Sequence, residues 1–405
     1  MALRVAFFAD CFHEVNGVAL TSRKFAQFAR DSGRPFLSVH PGPATSLTRG
    51  ANFTELELAG SRMSVGVERD TAFDLLFHRH LDRVRRATFE FGADLIHVTS
   101  PGHIGLMGAI TAHRMGIPLM ASWHTNIHEF AARRLRWRLA GWPAGRLDAA
   151  AKWAEDATLA LTLLFYRRAK LLFAPNPELI AMLQARTGLP CHLMERGIDM
   201  DGFSPRHRTR ADGDFVIGFV GRLSAEKNVR LLADLYQRLR ARGINGYRFL
   251  VVGDGSERDW LRRHLPGAEL PGVLRGQALA EAYANMDVFV FPSETDTFGN
   301  VIQEASASGV PCVVSAHGGP KFLVSHNETG FVANSLAAYA DAVAALVHDP
   351  ELHHRMRLNA RRAAEGRTWA AVFEAVYARY EEWLAPQTNL LRNVSRDLHQ
   401  KCNSG

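Results

Sequence analysis

The 405-residue sequence has few cysteines and no long apolar segment. Its four cysteines, Cys11, Cys191, Cys312 and Cys402, are widely separated and lack the paired spacing of zinc or redox sites. Their scatter predicts reduced thiols in a cytoplasmic protein. The most apolar segment, LALTLLF at 159–165, is shorter than the roughly 18–20 residues that a membrane-spanning helix needs. We therefore predict that the chain does not cross a membrane.

Sequence motifs of several enzyme classes are also missing. The chain contains neither a Gly-Lys-Ser/Thr phosphate loop nor a Gly-x-Ser-x-Gly nucleophile motif. VVGDGSE at 251–257 resembles half of a dinucleotide fingerprint but lacks its full glycine pattern, so a turn is the better interpretation. A nicotinamide oxidoreductase would need the complete pattern followed by an acidic ribose ligand. This class of enzyme is therefore disfavoured.

Ligand sets for a metal ion are incomplete in the sequence. His78 and His80 form one pair, and His353 and His354 another, but neither pair has a third ligand at a suitable spacing. The segment 199–201 has the acid-x-acid pattern of metal-dependent sugar transferases, yet it lies just before the predicted linker and outside a nucleotide-binding first half. We therefore predict no metal site.

A formal net charge of +7 favours an anionic partner, either nucleic acid or a membrane surface. The excess is concentrated in 130–170, where Trp137, Trp142 and Trp153 are interleaved with basic side chains. A basic helical segment that carries tryptophans can lie on anionic lipid. A solvated helix face with inward-packed tryptophans is the alternative, and the sequence leaves both open.

Short apolar segments alternate with amphipathic ones along both halves of the chain, which predicts an α/β fold with parallel sheets covered by helices. Candidate strands of the first half are 4–10, 35–41, 95–100, 118–124 and 170–176. Those of the second half are 215–221, 247–255, 272–276, 288–293 and 311–316. The polar stretch 203–214 between the two sets is the candidate linker.

This alternation predicts two Rossmann-like domains, over residues 1–204 and 205–368. The amphipathic segment 369–385 predicts a terminal helix, and the polar residues 386–405 predict a mobile tail. Ligands of such folds bind where strands end and helices begin, because free backbone N–H groups there favour phosphate. Functional residues are therefore expected just after the strands.

Two loops at strand ends carry the first candidates. Asn16 and Gly17 follow the first strand and permit a tight turn before a helix expected to begin near Thr21. In GRLSAEKNV, which begins at Gly221, Arg222 and Lys227 precede a helix of the second half. Two cations beside a helix N-terminus would hold a diphosphate. The alternative is a pair of solvated cations on a loop.

The segment DTFGNVIQEASASGVP supplies two carboxylates at the start of a predicted helix, Asp296 and Glu304. Backbone N–H groups of Phe298, Gly299 and Asn300 are placed to meet an anion there. Both carboxylates would then face one ligand, with sugar hydroxyls on the first and ribose hydroxyls on the second. In the alternative interpretation, the first acid caps the helix and the second favours its positive end.

Taken in order, six blocks resemble the family 4 glycosyltransferases, which are retaining enzymes of GT-B fold with two Rossmann-like domains that face a central cleft. The blocks are VNGV, SWHTN, ERGIDMDGFSP, GRLSAEKN, VVGDG and SETDTFGNVIQEASASGVPCVVSAHGGP, and the resemblance covers most of residues 1–384. It implies that the predicted helix over 369–385 crosses back to the first domain, which would bind the acceptor. The second domain would bind the nucleotide-sugar donor.

The resemblance also implies roles for individual residues. The family has two glutamates separated by seven residues, and here Glu304 matches the second, which would bind the donor ribose. Asp296 replaces the first and would lie near the transferred sugar. Arg222 and Lys227 would bind the diphosphate, with Gly17, Gly221 and the 298–300 amides in the donor-binding loops, and His124 would approach the sugar. Such enzymes need no catalytic metal or other cofactor, because the nucleotide-sugar is a substrate.

We therefore expect a retaining hexosyltransferase that moves a sugar from a UDP- or GDP-sugar to a hydroxyl, with a membrane lipid or glycolipid as a candidate acceptor. The expected location is the cytoplasm, with peripheral contact to the inner face of the membrane through 130–170. One alternative is a nucleotide-sugar epimerase of similar fold. Another is a nucleic-acid-binding protein, which would explain the charge but not the motifs at strand ends, so no nucleic-acid partner is expected.

Overall fold

A computed structural model describes residues 2–14, 16–68, 71–126, 144–211 and 213–402. The chain forms two compact units, one made of Met1–Met194 with Val372–Gly405 and the other of Glu195–Ala371. The sequence placed this boundary at 204/205. No described helix combines the length and the apolar composition that a bilayer crossing requires. Part of the predicted membrane-facing segment, 130–143, lies outside the described residues.

The described residues of the N-terminal unit form ten strands. They are β1 (Val5–Phe8), β2 (Phe36–Gly42), β3 (Ser46–Arg49), β4 (Phe53–Ala59), β5 (Ser64–Glu68), β6 (Thr71–Asp74), β7 (Leu95–Val98), β8 (Leu119–Ser122), β9 (Leu171–Ala174) and β10 (Cys191–Leu193). Eight of them form one sheet in the order β10-β9-β8-β7-β1-β2-β4-β3, and β5 pairs with β6 separately. The large sheet is parallel except for β3, which runs antiparallel to β4. Strand order reverses between β1 and β7.

Helices cover this sheet, and the first and last of the five listed here begin at asparagine side-chain caps. They are α1 (Gly17–Asp31), α2 (Leu81–Phe91), α3 (His103–Met115), α4 (Ala144–Tyr166) and α5 (Pro177–Thr187). The Asn16 side chain accepts hydrogen bonds from the N–H groups of Val18 and Ala19, so α1 begins at Gly17. The prediction that this helix begins near Thr21 is therefore wrong, because the cap was taken only as a turn.

The C-terminal unit is a smaller sheet of the same type. Its strands are β11 (Phe215–Val220), β12 (Tyr247–Val252), β13 (Glu269–Gly272), β14 (Val288–Phe291), β15 (Cys312–Ser315) and β16 (Gly330–Ala333). They pair in parallel in the order β13-β12-β11-β14-β15-β16. Its helices are α6 (Leu231–Ala241), α7 (Arg258–His264), α8 (Gly276–Ala284), α9 (Asn300–Ala307), α10 (Leu336–His348) and α11 (Pro350–Glu365). Strand order reverses between β11 and β14.

The last helix, α12 (Trp369–Cys402), belongs to the N-terminal unit from Val372 onward. The Phe373 ring stacks on Phe25 of α1 with ring centroids 4.4 Å apart, and Tyr377 and Tyr380 are also buried. The helix extends beyond the predicted 369–385 into the segment that the sequence assigned to a mobile tail. Polar composition suggested the tail, but it does not by itself prevent a helix.

Candidate functional site

Two loops of the C-terminal unit begin side by side at the point where its strand order reverses. Ile217 and Gly218 of β11 pair with Val288 and Phe289 of β14, so the segments that follow these strands leave the same edge of the sheet. In open parallel sheets this position is the usual ligand crevice. The first loop contains GRLSAEK and the second contains SETDTFG. Residues that are distant in sequence are therefore brought together here.

The central contact of this site joins Lys227 to Asp296. The Lys227 Nζ lies 2.6 Å from the Asp296 Oδ1, and the two side chains are 20% and 24% exposed. Burial alone would raise the pKa of Asp296, but the Lys227 ammonium and the Ser293 hydroxyl outweigh it, and the net pKa is lowered. Both members of the pair are therefore ionised. The structure brings Lys227 and Asp296, which were predicted as site residues from separate motifs, into direct contact.

Arg222 occupies the same loop but points to a different partner. Its Nη1 lies 3.3 Å from the Glu226 Oε1, and its side chain is 55% exposed. Such an exposed pair contributes at most about 1 kcal/mol to stability. The guanidinium can therefore leave Glu226 for an incoming anion at little cost.

Glycines hold this loop against its neighbour. Gly253 has φ +139°, and a Cβ there would lie 1.9 Å from the Gly221 carbonyl oxygen. A Cβ on Gly255 would lie 2.2 Å from the Leu223 carbonyl oxygen. The glycines of VVGDG thus permit close backbone packing behind the cationic loop, which agrees with the predicted turn.

The second loop is fixed by the AHGGP segment. A Cβ on Gly319 would lie 2.0 Å from the Thr297 carbonyl oxygen, and the Gly319 N–H donates to the Asp296 carbonyl at 2.7 Å. Phe298 is buried, and Gly299 at φ +127° turns the chain into α9. Among the described residues no side chain caps this helix. Its first N–H groups therefore face the same edge of the sheet as Lys227.

Glu304 lies about one turn inside α9, and its carboxylate has a buried partner. The Tyr283 hydroxyl donates to Glu304 Oε2 at 2.7 Å. Burial raises the pKa of Glu304, and the Tyr283 hydrogen bond opposes this in part. The contact orients the carboxylate of Glu304.

The sequence did not identify Arg196, although the structure places it in this site. Its side chain is only 8% exposed, its Nη1 donates to Asn300 Oδ1 at 3.2 Å, and its guanidinium lies 5.6 Å from the centre of the Phe298 ring. Burial lowers its pKa to about 10, and the Asp296 charge opposes that shift. Its buried Nε has no hydrogen-bond partner among the described residues. The ERGID block contains this arginine, but sequence alone does not show that it is buried.

His124 belongs to the N-terminal unit, at the end of β8. Its Nε2 lies 2.8 Å from the Ser122 Oγ, which lies 3.0 Å from His97 Nε2. The other ring nitrogen of His97 contacts the Tyr380 hydroxyl of α12. All four side chains are buried, and burial lowers the pKa of His97 to about 3, so His97 is neutral. The chain of contacts fixes the orientation of the His124 ring.

Gly17 and Asp10 both lie close to the C-terminal end of β1. Gly17 is the first residue of α1, where it follows the capping side chain of Asn16. Asp10, which the sequence did not single out, accepts hydrogen bonds from Ser100 Oγ at 2.6 Å and from the Ile104 N–H at 2.8 Å. Its carboxylate therefore satisfies the start of α3, as the Asn16 side chain satisfies the start of α1.

Residues that were considered and rejected as metal ligands have structural contacts. Asp199 Oδ1 accepts hydrogen bonds from the N–H groups of Asp201 and Gly202 at 3.2 and 2.9 Å, which makes the acid-x-acid segment a turn. His80 Nε2 lies 3.1 Å from the Ala59 carbonyl oxygen, and His353 Nε2 lies 2.8 Å from that of Asp287. Among the described residues, none of these three groups belongs to a cluster that could hold a metal ion.

Comparison with protein families divides the chain into two adjoining matches. Residues 17–202 match the model described as Glycosyltransferase Family 4. Residues 203–363 match the model described as Glycosyl transferases group 1. The junction falls close to the boundary between the two structural units.

Similar curated proteins span nearly the whole chain. A GDP-mannose-dependent alpha-mannosyltransferase of Mycobacterium tuberculosis is 34% identical over 394 residues, which cover 94% of this chain and 96% of that protein. A protein of the same description from Corynebacterium glutamicum is 29% identical over 395 residues, or 95% of this chain and 90% of the other.

Solved structures share the fold at lower sequence identity. Sucrose-phosphate synthase from Thermosynechococcus elongatus superposes with a TM-score of 0.70 at 18% identity, over 95% of this chain and 100% of that one. Anabaena HepE in complex with UDP gives a TM-score of 0.67 at 17% identity, over 94% and 100%. The predicted GT-B fold is confirmed.

Proposed function

Because the chain belongs to glycosyltransferase family 4, we propose that it transfers mannose from GDP-mannose, with retention of configuration, to a hydroxyl of a membrane lipid or glycolipid. The proposal rests on the contact between Lys227 and Asp296 at the reversal point of the C-terminal sheet. The relatives named GDP-mannose-dependent support this choice of donor. The UDP-sugars that the sequence left open become the alternative donors.

Cations and backbone N–H groups would hold the donor diphosphate. Arg222 is exposed and weakly paired, Lys227 lies at the end of the same loop, and α9 begins beside them. As the nucleoside diphosphate departs, these groups stabilise its growing negative charge. They supply the positive charge that a divalent ion supplies in other transferases. Transfer at this site therefore needs no metal and no other cofactor.

Glu304 would bind the ribose through Oε1, since Tyr283 holds its other oxygen. Asp296 remains ionised and would face the positive charge that develops on the sugar as the donor bond breaks. We assign Arg196 to the phosphate nearer the sugar, because a buried guanidinium with a free Nε–H requires an anionic partner. Lys227 would move from Asp296 towards the diphosphate when the donor binds.

In the N-terminal unit we assign His124 to a hydroxyl of the transferred sugar and Gly17 to the diphosphate. Ser122 and His97 would keep the His124 ring in one orientation, so that a hydrogen bond forms without loss of ring freedom on binding. Gly17, as the first residue of α1, would offer its own N–H group to an anion, since those of Val18 and Ala19 donate to Asn16.

An exposed surface of α4 supports contact with a membrane. Trp153, Leu161 and Leu164 are 73%, 70% and 50% exposed, and they recur at helical spacing on one side of the helix. Exposed basic residues lie on the same helix or just after it, namely Lys152, Arg167, Arg168 and Lys170. Apolar anchors beside cations fit the interface of an anionic bilayer. We assign the protein to the cytoplasmic face of the membrane through this α4 surface.

Product analysis with a panel of GDP- and UDP-sugars tests the proposed reaction. We expect consumption of GDP-mannose only when a lipid extract is present, with one hexose added to a lipid product and an α-linkage by NMR. Consumption of a UDP-sugar instead would overturn the donor assignment. Conversion of the donor without an acceptor would identify an epimerase. The double substitution Arg222→Ala and Lys227→Ala should abolish transfer while far-UV circular dichroism stays unchanged.

A further inference from the structure

A cluster of two histidines and a glutamate lies in the N-terminal unit, apart from the residues assigned to the donor. His13 follows β1, His40 is on β2 and Glu57 is on β4, and their potential ligand atoms all lie within 4.8 Å of one another. His40 and Glu57 are register partners on neighbouring strands. Their side chains therefore share one face of the sheet. We propose that this cluster binds a divalent metal ion, with Zn²⁺ as the best fit.

One distance in the cluster already matches a metal site, since the His13 Nε2 lies 3.3 Å from Glu57 Oε1. The potential ligand atom of His40 lies within 4.8 Å of the other two, and its Nε2 is 3.2 Å from the neighbouring Glu55 Oε1. Ligand atoms bound tetrahedrally to Zn²⁺ at about 2.0–2.1 Å are separated by about 3.3 Å. His13 is on a loop and 54% exposed, so it can move the short distance that completes the ligand set.

Neighbouring groups orient the ligands as in known metal sites. The His40 Nδ1 lies 3.0 Å from the Pro41 carbonyl oxygen, which only accepts, so this nitrogen carries a proton and Nε2 is left for the metal. Ser46 Oγ donates to Glu57 Oε2 at 3.2 Å. The Phe12 ring stacks on His40 at 3.7 Å between centroids. Contacts of this kind fix the direction of ligand atoms and raise metal affinity.

Electrostatics at His40 also indicate a cation. The side chain is fully buried, and its Nε2 faces the Glu55 carboxylate. A neutral ring with its proton on Nδ1 would point a lone pair at a carboxylate oxygen, which is repulsive. A bound metal ion removes this repulsion. The imidazole of His13 beside Glu57 supplies a further ligand atom for the same ion.

Two imidazoles and one carboxylate, with Glu55 or water in the fourth position, suit Zn²⁺ better than Mg²⁺ or Ca²⁺, which prefer oxygen ligands. The ion would join the loop after β1 to strands β2 and β4. That loop leads to Asn16 and the start of α1. Metal binding would therefore order the approach to α1 and stabilise the N-terminal unit, independently of the cations that hold the diphosphate.

Titration of the full chain with Co²⁺ tests the site. The protein is made without a polyhistidine tag and dialysed against a chelator. We expect one equivalent of Co²⁺ to produce the visible absorption of a tetrahedral site, Zn²⁺ to displace it, and Tm to rise until one equivalent is bound. Absence of saturable binding would overturn the proposal.

Variants assign the binding to these residues. His13→Ala is tolerated by an exposed loop and Glu57→Gln keeps the side-chain shape, so both should fold. Each should weaken Co²⁺ binding at least tenfold. His113→Ala, an exposed histidine of α3 in the same unit, is the matched control and should bind normally. Binding that survives both substitutions would place the ion elsewhere. These readouts do not depend on transfer, so they are unaffected if the proposed reaction is wrong.

Discussion

The Lys227 ammonium donates to the Asp296 carboxylate at 2.6 Å. The cation that we assign to the diphosphate therefore forms an ion pair with the acid that we assign to the sugar. Without a donor, the pair satisfies two partly buried charges. With a donor, the phosphate competes for Lys227, and Asp296 is left facing the sugar. The contact therefore links diphosphate binding to the position of the carboxylate.

Asp296→Asn should lower kcat for mannosyl transfer by about 10²–10³-fold, because the charge opposite the developing cation is lost. Asp296→Glu restores the glutamate of the family and should lower kcat by about tenfold or less. Steady-state kinetics with GDP-mannose measures both. Because the fold lowers the pKa of Asp296, its charge contributes stability at neutral pH, so Asp296→Asn should also lower Tm. Equal loss in the two variants would show that geometry at this position matters more than charge.

Glu304 should set an acid limb in the pH profile of donor binding. Burial raises the pKa of Glu304 above the ordinary 4.5. As pH falls, the carboxylate that would accept a hydrogen bond from the ribose is therefore protonated at a higher pH than an exposed glutamate. Tyr283→Phe removes the hydrogen bond that opposes this shift and should move the limb to higher pH, with a loss of about 1–3 kcal/mol in stability. The measurement is KM for GDP-mannose against pH.

Glu304→Gln tests the same group through stability. Since the folded protein holds the Glu304 proton more tightly than the unfolded chain, ionisation costs stability as pH rises through the folded pKa. The variant should therefore unfold at a higher Tm than the parent at neutral pH, while its donor affinity falls. A lower Tm at neutral pH would mean that the carboxylate is stabilising in its ionised form.

Arg196→Met should separate binding from stability. A buried guanidinium with an unpartnered Nε costs desolvation energy, so an apolar side chain of similar length should leave Tm unchanged or raise it. Transfer should fall at least tenfold if the guanidinium meets a phosphate. Arg238→Met, on the exposed side of α6, is the control and should retain full activity. Full activity of the Arg196 variant would remove it from the donor site.

His97 should make the protein sensitive to acid. Its pKa is lowered from 6.5 to about 3 by burial, so the unfolded chain binds a proton that the folded one does not over this range. Stability should therefore fall as pH decreases from 6.5 towards 3. His97→Asn cannot titrate, and its unfolding midpoint should depend less on pH over the same window. The same variant should lower kcat more than donor KM, because His124 loses its orientation.

Membrane contact should depend on the apolar residues of the α4 surface. Trp153→Ser with Leu161→Ser should reduce binding to anionic vesicles in flotation assays by at least about tenfold, since each burial contributes about 1–3 kcal/mol. Leu358→Ser removes an equally large exposed side chain from α11 and should have no effect. If the protein with Trp153→Ser and Leu161→Ser floats like the parent protein, as the Leu358→Ser control should, the α4 surface does not bind lipid.

Motifs next to strand ends were the most predictable part of this protein. Arg222, Lys227 and Asp296 follow apolar strands, and parallel topology then forces their loops to one edge. Arg196 was missed because the short strand before it, β10, was not predicted, and Tyr283 because it lies inside a helix. Only the tertiary structure shows that Arg196 is buried beside Asn300 and Tyr283 beside Glu304. A contact between residues that are distant in sequence leaves no recognisable pattern in either of the two segments.

Strands of the fold were predicted where both faces are buried. β1 and β11 are nearly continuous apolar runs, whereas β4 alternates between Glu55, Leu56 and Glu57, and β3 is exposed along most of its length. The antiparallel edge and the β5–β6 hairpin were therefore not anticipated. The cluster of His13, His40 and Glu57 was missed for the same reason, because it depends on the pairing of β2 with β4.

Helix α12 adds to the N-terminal unit a segment that follows the second unit in the chain. It covers Phe25 and His97 with Phe373 and Tyr380, which the ribosome makes only after the entire second unit. During synthesis the first unit must therefore wait, with part of its apolar surface uncovered, while the second unit is made. A chain that stops before α12 leaves this surface exposed, and quality control can recognise it there.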